Sequence, residues 1–79
     1  MQDEIHLVSM IIMARPAQMD ALSAAIEQIE GSEIHVRHPD GKFVVTAEAD
    51  DPRTLMTRIE ALQAMDGVVS SNLVYHQVA

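Results

Sequence analysis

Apolar positions recur along this chain with two different periods. Met19, Leu22, Ile26 and Ile29 follow one another at steps of three and four, and Leu55, Ile59, Leu62 and Met65 do so again. That spacing lines side chains along one face of a helix. A proline and a glycine bracket each run: Pro16 and Gly31 around the first, Pro52 and Gly67 around the second, with 36 residues between the corresponding pairs. Proline fits the first helical position, where its missing N–H costs nothing, and glycine fits the left-handed residue just past the end. Asp51 before Pro52 is a good N-cap, whereas Arg15 before Pro16 is a poor one.

The second period is two. Strands are expected at "IHLVSMIIM" before the first helix, "SEIHVRH" after it, "KFVVTAEA" before the second, and "VVSSNLVYHQ" after that. "PDG", Pro39 to Gly41, suits a tight turn between the middle two. The order is βαββαβ in a single domain spanning residues 1–79. Right-handed crossovers fold two such βαβ halves into an α+β, ferredoxin-like split sandwich. Two helices then cover one face of a four-stranded antiparallel sheet and leave the other open.

The first strand, central in that topology, is apolar on both sides. Leu7, Ile11 and Met13 share one side with Ser9, while Val8, Met10 and Ile12 share the other. The preferred register puts Val8, Met10 and Ile12 in the core; copying the second half across by 36 residues would choose the opposite set. For the third strand Glu48 decides, so that Phe43, Val45, Ala47 and Ala49 face the helices while Val44, Thr46 and Glu48 face outward. In the last strand Val69, Ser71, Leu73 and Tyr75 are expected inward, and Val68, Ser70, Asn72, Val74 and His76 outward. Either register of the first strand leaves large apolar side chains pointing away from the helices.

Composition narrows what such a face can meet. Twelve Asp and Glu against five Lys and Arg give a net charge of −7, which disfavours a nucleic-acid backbone and favours a basic partner. One Phe, one Tyr and no Trp supply no stacking platform for single-stranded nucleic acid. With no cysteine there is no disulfide framework or thiolate site, as expected of a cytoplasmic protein. The acidic flank and short apolar run of "MQDEIHLVSMIIMARP" fit neither a signal peptide nor a membrane span.

Candidate chemistry is sparse. No nucleophile triad, phosphate-binding glycine loop or carboxylate pair in a cleft marks an enzyme. His6 and His76 can meet on neighbouring strands, but no clustered carboxylate completes a metal site, and the four histidines read as surface residues. Met19, Met56 and Met65 read as core, whereas Met13, and Met10 if the register of the first strand is reversed, are free to serve an interface. The acidic group Glu48, Asp50 and Asp51 caps a helix start and also suits guanidinium groups, because a carboxylate accepts two parallel hydrogen bonds from an arginine fork. An open sheet with an apolar centre and an acidic border complements a peptide that carries arginines followed by an apolar stretch.

Three stretches, "VSMIIMARP" at Val8 to Pro16, "PDGKFVVTAEADD" at Pro39 to Asp51 and "LVYHQ" at Leu73 to Gln77, occur in an order and spacing that resemble the NapD family over nearly the whole chain. The resemblance implies a cytoplasmic chaperone, without a cofactor of its own, for the catalytic subunit of periplasmic nitrate reductase. It implies binding of the twin-arginine signal peptide of that precursor, holding back export until the molybdenum cofactor is inserted. Strand alternation then assigns Leu7, Ile11, Met13, Val44 and Val74 to an apolar floor, and Ser9, Thr46, Ser70, Asn72 and His76 to its polar contacts. Glu48, with Asp50 beside it, is expected to take an arginine. The competing reading is a ferredoxin-like regulatory module that dimerises through the same face and holds a small effector. Weak self-association of an uncovered apolar face fits either reading.

Overall fold

The computed structural model describes residues 4–78. Strand β1 (His6–Ala14) leads through a 3-10 turn (Pro16–Gln18) into helix α1 (Met19–Glu27). Strands β2 (Ser32–His38) and β3 (Lys42–Ala49) form a hairpin, followed by α2 (Pro52–Gln63) and β4 (Val68–Val78). The sheet order is β2-β3-β1-β4, with every neighbouring pair antiparallel. This is the ferredoxin-like α+β arrangement that the two apolar periods predict.

Capping explains why the two helices differ. The Asp51 carboxylate accepts hydrogen bonds from the backbone N–H and the hydroxyl of Thr54, both at 2.8 Å, and α2 begins as an α-helix at Pro52. Arg15 offers no side-chain cap, so the chain after Pro16 first makes a 3-10 turn and α1 starts only at Met19. One helix is twelve residues long and the other nine. In the turn between β2 and β3, Gly41 adopts φ +114°, and a Cβ there would lie 2.3 Å from the Ala14 carbonyl oxygen. That close approach lets the Ala14 N–H donate to the Gly41 carbonyl at 2.6 Å, fastening the hairpin to the end of β1.

The core lies between helices and sheet. Val8, Met10 and Ile12 of β1 and Phe43, Val45 and Ala47 of β3 are buried against Leu22, Ile26, Leu55, Ile59 and Leu62. The preferred register of β1 therefore holds, and the set obtained by copying the second half across is the half-buried one: Leu7, Ser9, Ile11 and Met13. The repeat relates the helices but not the phase of the strands.

Strand β4 departs from simple alternation. Met13 pairs with Ser70 and Ala14 with Val68, leaving Val69 between them unpaired; Ser9 pairs with Tyr75 and Met10 with Leu73, leaving Val74 likewise. Each extra residue inverts which face the following side chains meet. Between the bulges Ser71 and Leu73 share the helix side with Ile12 and Met10, while Ser70 and Asn72 share the open side with Met13 and Ile11, as expected. Outside them the expectation fails. Val68 packs against the core rather than facing outward, and Val69 is exposed rather than inward. His76 pairs with Val8 on the helix side, and Val74 sits in the bulge. The expected packing of the Tyr75 side chain lies outside the described part of the structure.

Two further expectations are corrected by burial. Met56 is 53% exposed rather than a core residue: the buried stripe of α2 is Leu55, Ile59 and Leu62, and Met56 lines the open groove beside β4. His6 is buried rather than on the surface: it occupies the helix side of β1, its Nε2 lies 3.2 Å from a Glu4 carboxylate oxygen, and its ring stacks on that of His76. The two histidines thus meet as foreseen, on the face opposite to the one foreseen for His76.

Candidate functional site

The open face is built from the outward positions of all four strands. In the middle of the sheet Val36, Val44, Ile11 and Asn72 form one row across β2, β3, β1 and β4. The next row toward the start of β1 holds Glu33, Thr46 and Ser9, and Glu48, Leu7 and Gln77 follow beyond it. At the opposite end His38, Lys42, Met13 and Ser70 complete the face. Among the described residues no helix covers these positions, and Leu7, Ile11, Met13 and Val44 are half-buried.

Nine of the residues expected here from strand alternation share this face: Leu7, Ser9, Ile11, Met13, Val44, Thr46, Glu48, Ser70 and Asn72. Val74 and His76 do not join them. Both line an apolar groove of about 370 Å³ on the helix side, between α2 and β4, together with Pro52, Leu55, Met56 and Leu73.

Sequence reasoning missed Lys42, His38 and Gln77 on this face, and with them three residues around an irregular step of β2. A register shift between Ile34 and Val36 places Ile34 opposite Val45 on the core side and Val36 opposite Val44 on the open side. Val36 thereby adds to the apolar floor, 46% exposed. His35, in the irregular step, hydrogen-bonds the Thr46 hydroxyl at 2.8 Å. Glu33 stands opposite Thr46 and within 3.9 Å of the His35 ring. Alternation hides them because Ile34 and Val36 have the same parity yet face opposite sides. The available signal was Glu33, a charge three residues before Val36, which strict alternation would put on the opposite side from it.

The charges of the face are ordered. Glu33 and Glu48 line a recess of about 330 Å³ with Leu7, His35 and Thr46. Across Glu48 lies a second recess of about 410 Å³, whose wall carries Glu30, Asp50 and Asp51. Arg58 occupies its side: the guanidinium pairs with Glu30 at 3.6 Å and donates to the Glu48 carbonyl. Gly31, at φ +82°, is required there, since a Cβ would come within 2.5 Å of both the Arg58 guanidinium and the Glu48 carbonyl oxygen. Within this acidic group Asp51 is already engaged. The Thr54 backbone N–H, and then its hydroxyl, hold the Asp51 carboxyl below its ordinary pKa. Glu33, Glu48 and Asp50 are the carboxylates left to meet a partner, each exposed to solvent.

Among the described residues no group of three or more metal-ligating side chains is placed to hold an ion, and no helix is long and apolar enough to cross a membrane. The face offers an apolar floor, hydroxyl and amide groups, and carboxylates at one end. Those are the means of binding a peptide.

The chain is 34% identical over 73 residues to a Haemophilus influenzae protein named chaperone NapD, covering 91% of this chain and 78% of the relative. A chaperone NapD of Escherichia coli K12 is 32% identical over 73 residues, covering 91% of this chain and 84% of the relative. The fold superposes on the solution structure of the E. coli Tat proofreading chaperone protein NapD with a TM-score of 0.88 and 31% identity, over 98% of this chain and 82% of that one. Residues 5–79 match the family model described as NapD protein, and the chain belongs to the NapD family of chaperones.

Proposed function

We propose that this protein binds the twin-arginine signal peptide of the precursor of the periplasmic nitrate reductase catalytic subunit, in the cytoplasm, and delays its export until the molybdenum cofactor has been inserted. The observation that carries this reading is the open sheet face: an apolar centre of Ile11, Val36 and Val44 with carboxylates of Glu33 and Glu48 at one end. Arginines followed by an apolar stretch match that order of chemistry. Ser9, Thr46, Ser70 and Asn72 border the floor with groups that bond to a polar backbone or side chain. Membership of a chaperone family, and the name Tat proofreading chaperone borne by the E. coli relative, support the same client class.

Calorimetric titration with a synthetic twin-arginine signal peptide tests the reading, set beside the same peptide with both arginines replaced by glutamine. Binding that weakens on replacement is the expected result. Absence of binding, together with a stable dimer in sedimentation, would overturn it in favour of a module that dimerises through this face.

A further inference from the structure

The open face is not symmetric end to end. Along β3 the outward residues run from Lys42 through Val44 and Thr46 to Glu48, and along β1 the partners of those positions run from Met13 through Ile11 and Ser9 to Leu7. Carboxylates therefore mark the end where β1 starts, and an ammonium group marks the end where β1 finishes. His38 stands opposite Lys42, and the Asp40 carboxylate in the turn beyond the two strands lies 3.5 Å from the His38 ring. Between the two ends lies the apolar floor. Lys42 and Glu48 are six residues apart on one strand, a span of about 20 Å at the rise of a β-strand.

The chain itself shows how this end treats a guanidinium. In the recess behind Glu48, Arg58 is held by the Glu30 carboxylate and the Glu48 carbonyl. The recess in front, walled by Glu33 and Glu48, has the same pairing of a carboxylate with nearby polar groups and lacks an arginine or lysine of its own. Its resident titratable neighbour is His35, already hydrogen-bonded to Thr46.

We propose that the face accepts its client in one direction only: arginines in the Glu33–Glu48 recess, the apolar stretch over Leu7, Ile11, Val36 and Val44, and the far end beside Lys42 and Met13. Because the arginines precede the apolar stretch in such a peptide, the bound segment runs parallel to β1. The inference rests on the signal-peptide reading above and adds to it a polarity and a second carboxylate, Glu33. In the reverse direction the guanidinium groups would lie beside Lys42, and Glu33 and Glu48 would be covered by apolar side chains without a counter-charge. Both carboxylates and the ammonium oppose that arrangement.

Isotope-labelled protein and a synthetic twin-arginine peptide carrying a nitroxide at one end or the other test the direction. The label at the C-terminal end is expected to broaden the amide signals of Met13, Lys42 and Ser70, and the label at the arginine end those of Leu7, Glu33 and Glu48. The opposite pattern overturns the direction while leaving open-face binding intact. Broadening confined to Met56 and Leu73 overturns the open face itself, and a peptide that does not bind overturns both. In the companion titration, Glu33→Gln and Glu48→Gln each weaken binding about two- to fivefold, the scale of an exposed ion pair. The double variant is expected to bind the arginine peptide and its glutamine counterpart alike. Undiminished discrimination by the double variant would overturn the assignment of the recess.

Discussion

Ile11 and Ile12 are neighbours in the chain and carry the same side chain, yet they serve opposite sides of one sheet. Ile12 is fully buried between β1 and the helices; Ile11 is half-buried, flanked by Val44 and Asn72 on the open face. The two sides are equally apolar along β1, so hydrophobicity does not tell them apart. What differs is cover: α1 and α2 enclose one side, and the other has only its own neighbours. Stability is concentrated on the enclosed side, and the surface left for a partner lies on the other.

The sharpest way to break this contrast is to truncate both isoleucines. Ile12→Ala opens a cavity in packed surroundings and is expected to cost about 2–5 kcal/mol in denaturant unfolding. Ile11→Ala removes methyl groups that already meet water, at an expected cost of about 1 kcal/mol. The same Ile11→Ala variant is expected to bind the twin-arginine peptide about fivefold more weakly, read by calorimetry. Equal stability losses from the two variants would show that the open face is as much a part of the folding core as the enclosed one.

A subtler test uses a residue that belongs to neither side. Asp51 sits at the start of α2, and its carboxyl pKa is lowered by the Thr54 backbone N–H and hydroxyl. A group with a depressed folded-state pKa adds stability above the carboxylate range of the unfolded chain, and that contribution is lost as pH falls through its folded value. Thermal unfolding followed downward through about pH 4 should therefore lose less stability in Asp51→Ala than in the parent. Ile11→Ala and Ile12→Ala should keep the parental acid slope. A parental slope in Asp51→Ala would mean that other carboxylates govern the acid limb.

How much of this was legible in the sequence depended on regularity. Helix periodicity and the proline–glycine brackets located both helices, and the missing cap at Arg15 foreshadowed the shorter one. Strand β3 was readable because one charge, Glu48, fixed the phase of an otherwise apolar run. Strand β1 was readable to the extent that a preference between two apolar faces could be right. Strands β2 and β4 were not, because their bulges break the period of two on which the reading relies. The consequences fell on the open face: Val36, Glu33 and His35 were missed, and Val74 and His76 were assigned to the wrong side. Met56 was misjudged for a different reason, since helical spacing does not reveal that the groove between α2 and β4 stays open beside the buried stripe.

The bulge at Val74 has a meaning for comparison across evolution. A protein of this fold that lacks the extra residue, set beside this one without a gap, would pair side chains from opposite faces all the way from the bulge to the end of β4. A tyrosine or histidine shared at such a position would then be shared in name alone. One inserted or deleted residue in this strand exchanges what is offered to a partner while leaving the row of Ile12, Met10 and Val8 beneath the helices untouched. It is a small genetic step with a large effect on which face the end of β4 presents and almost none on the fold.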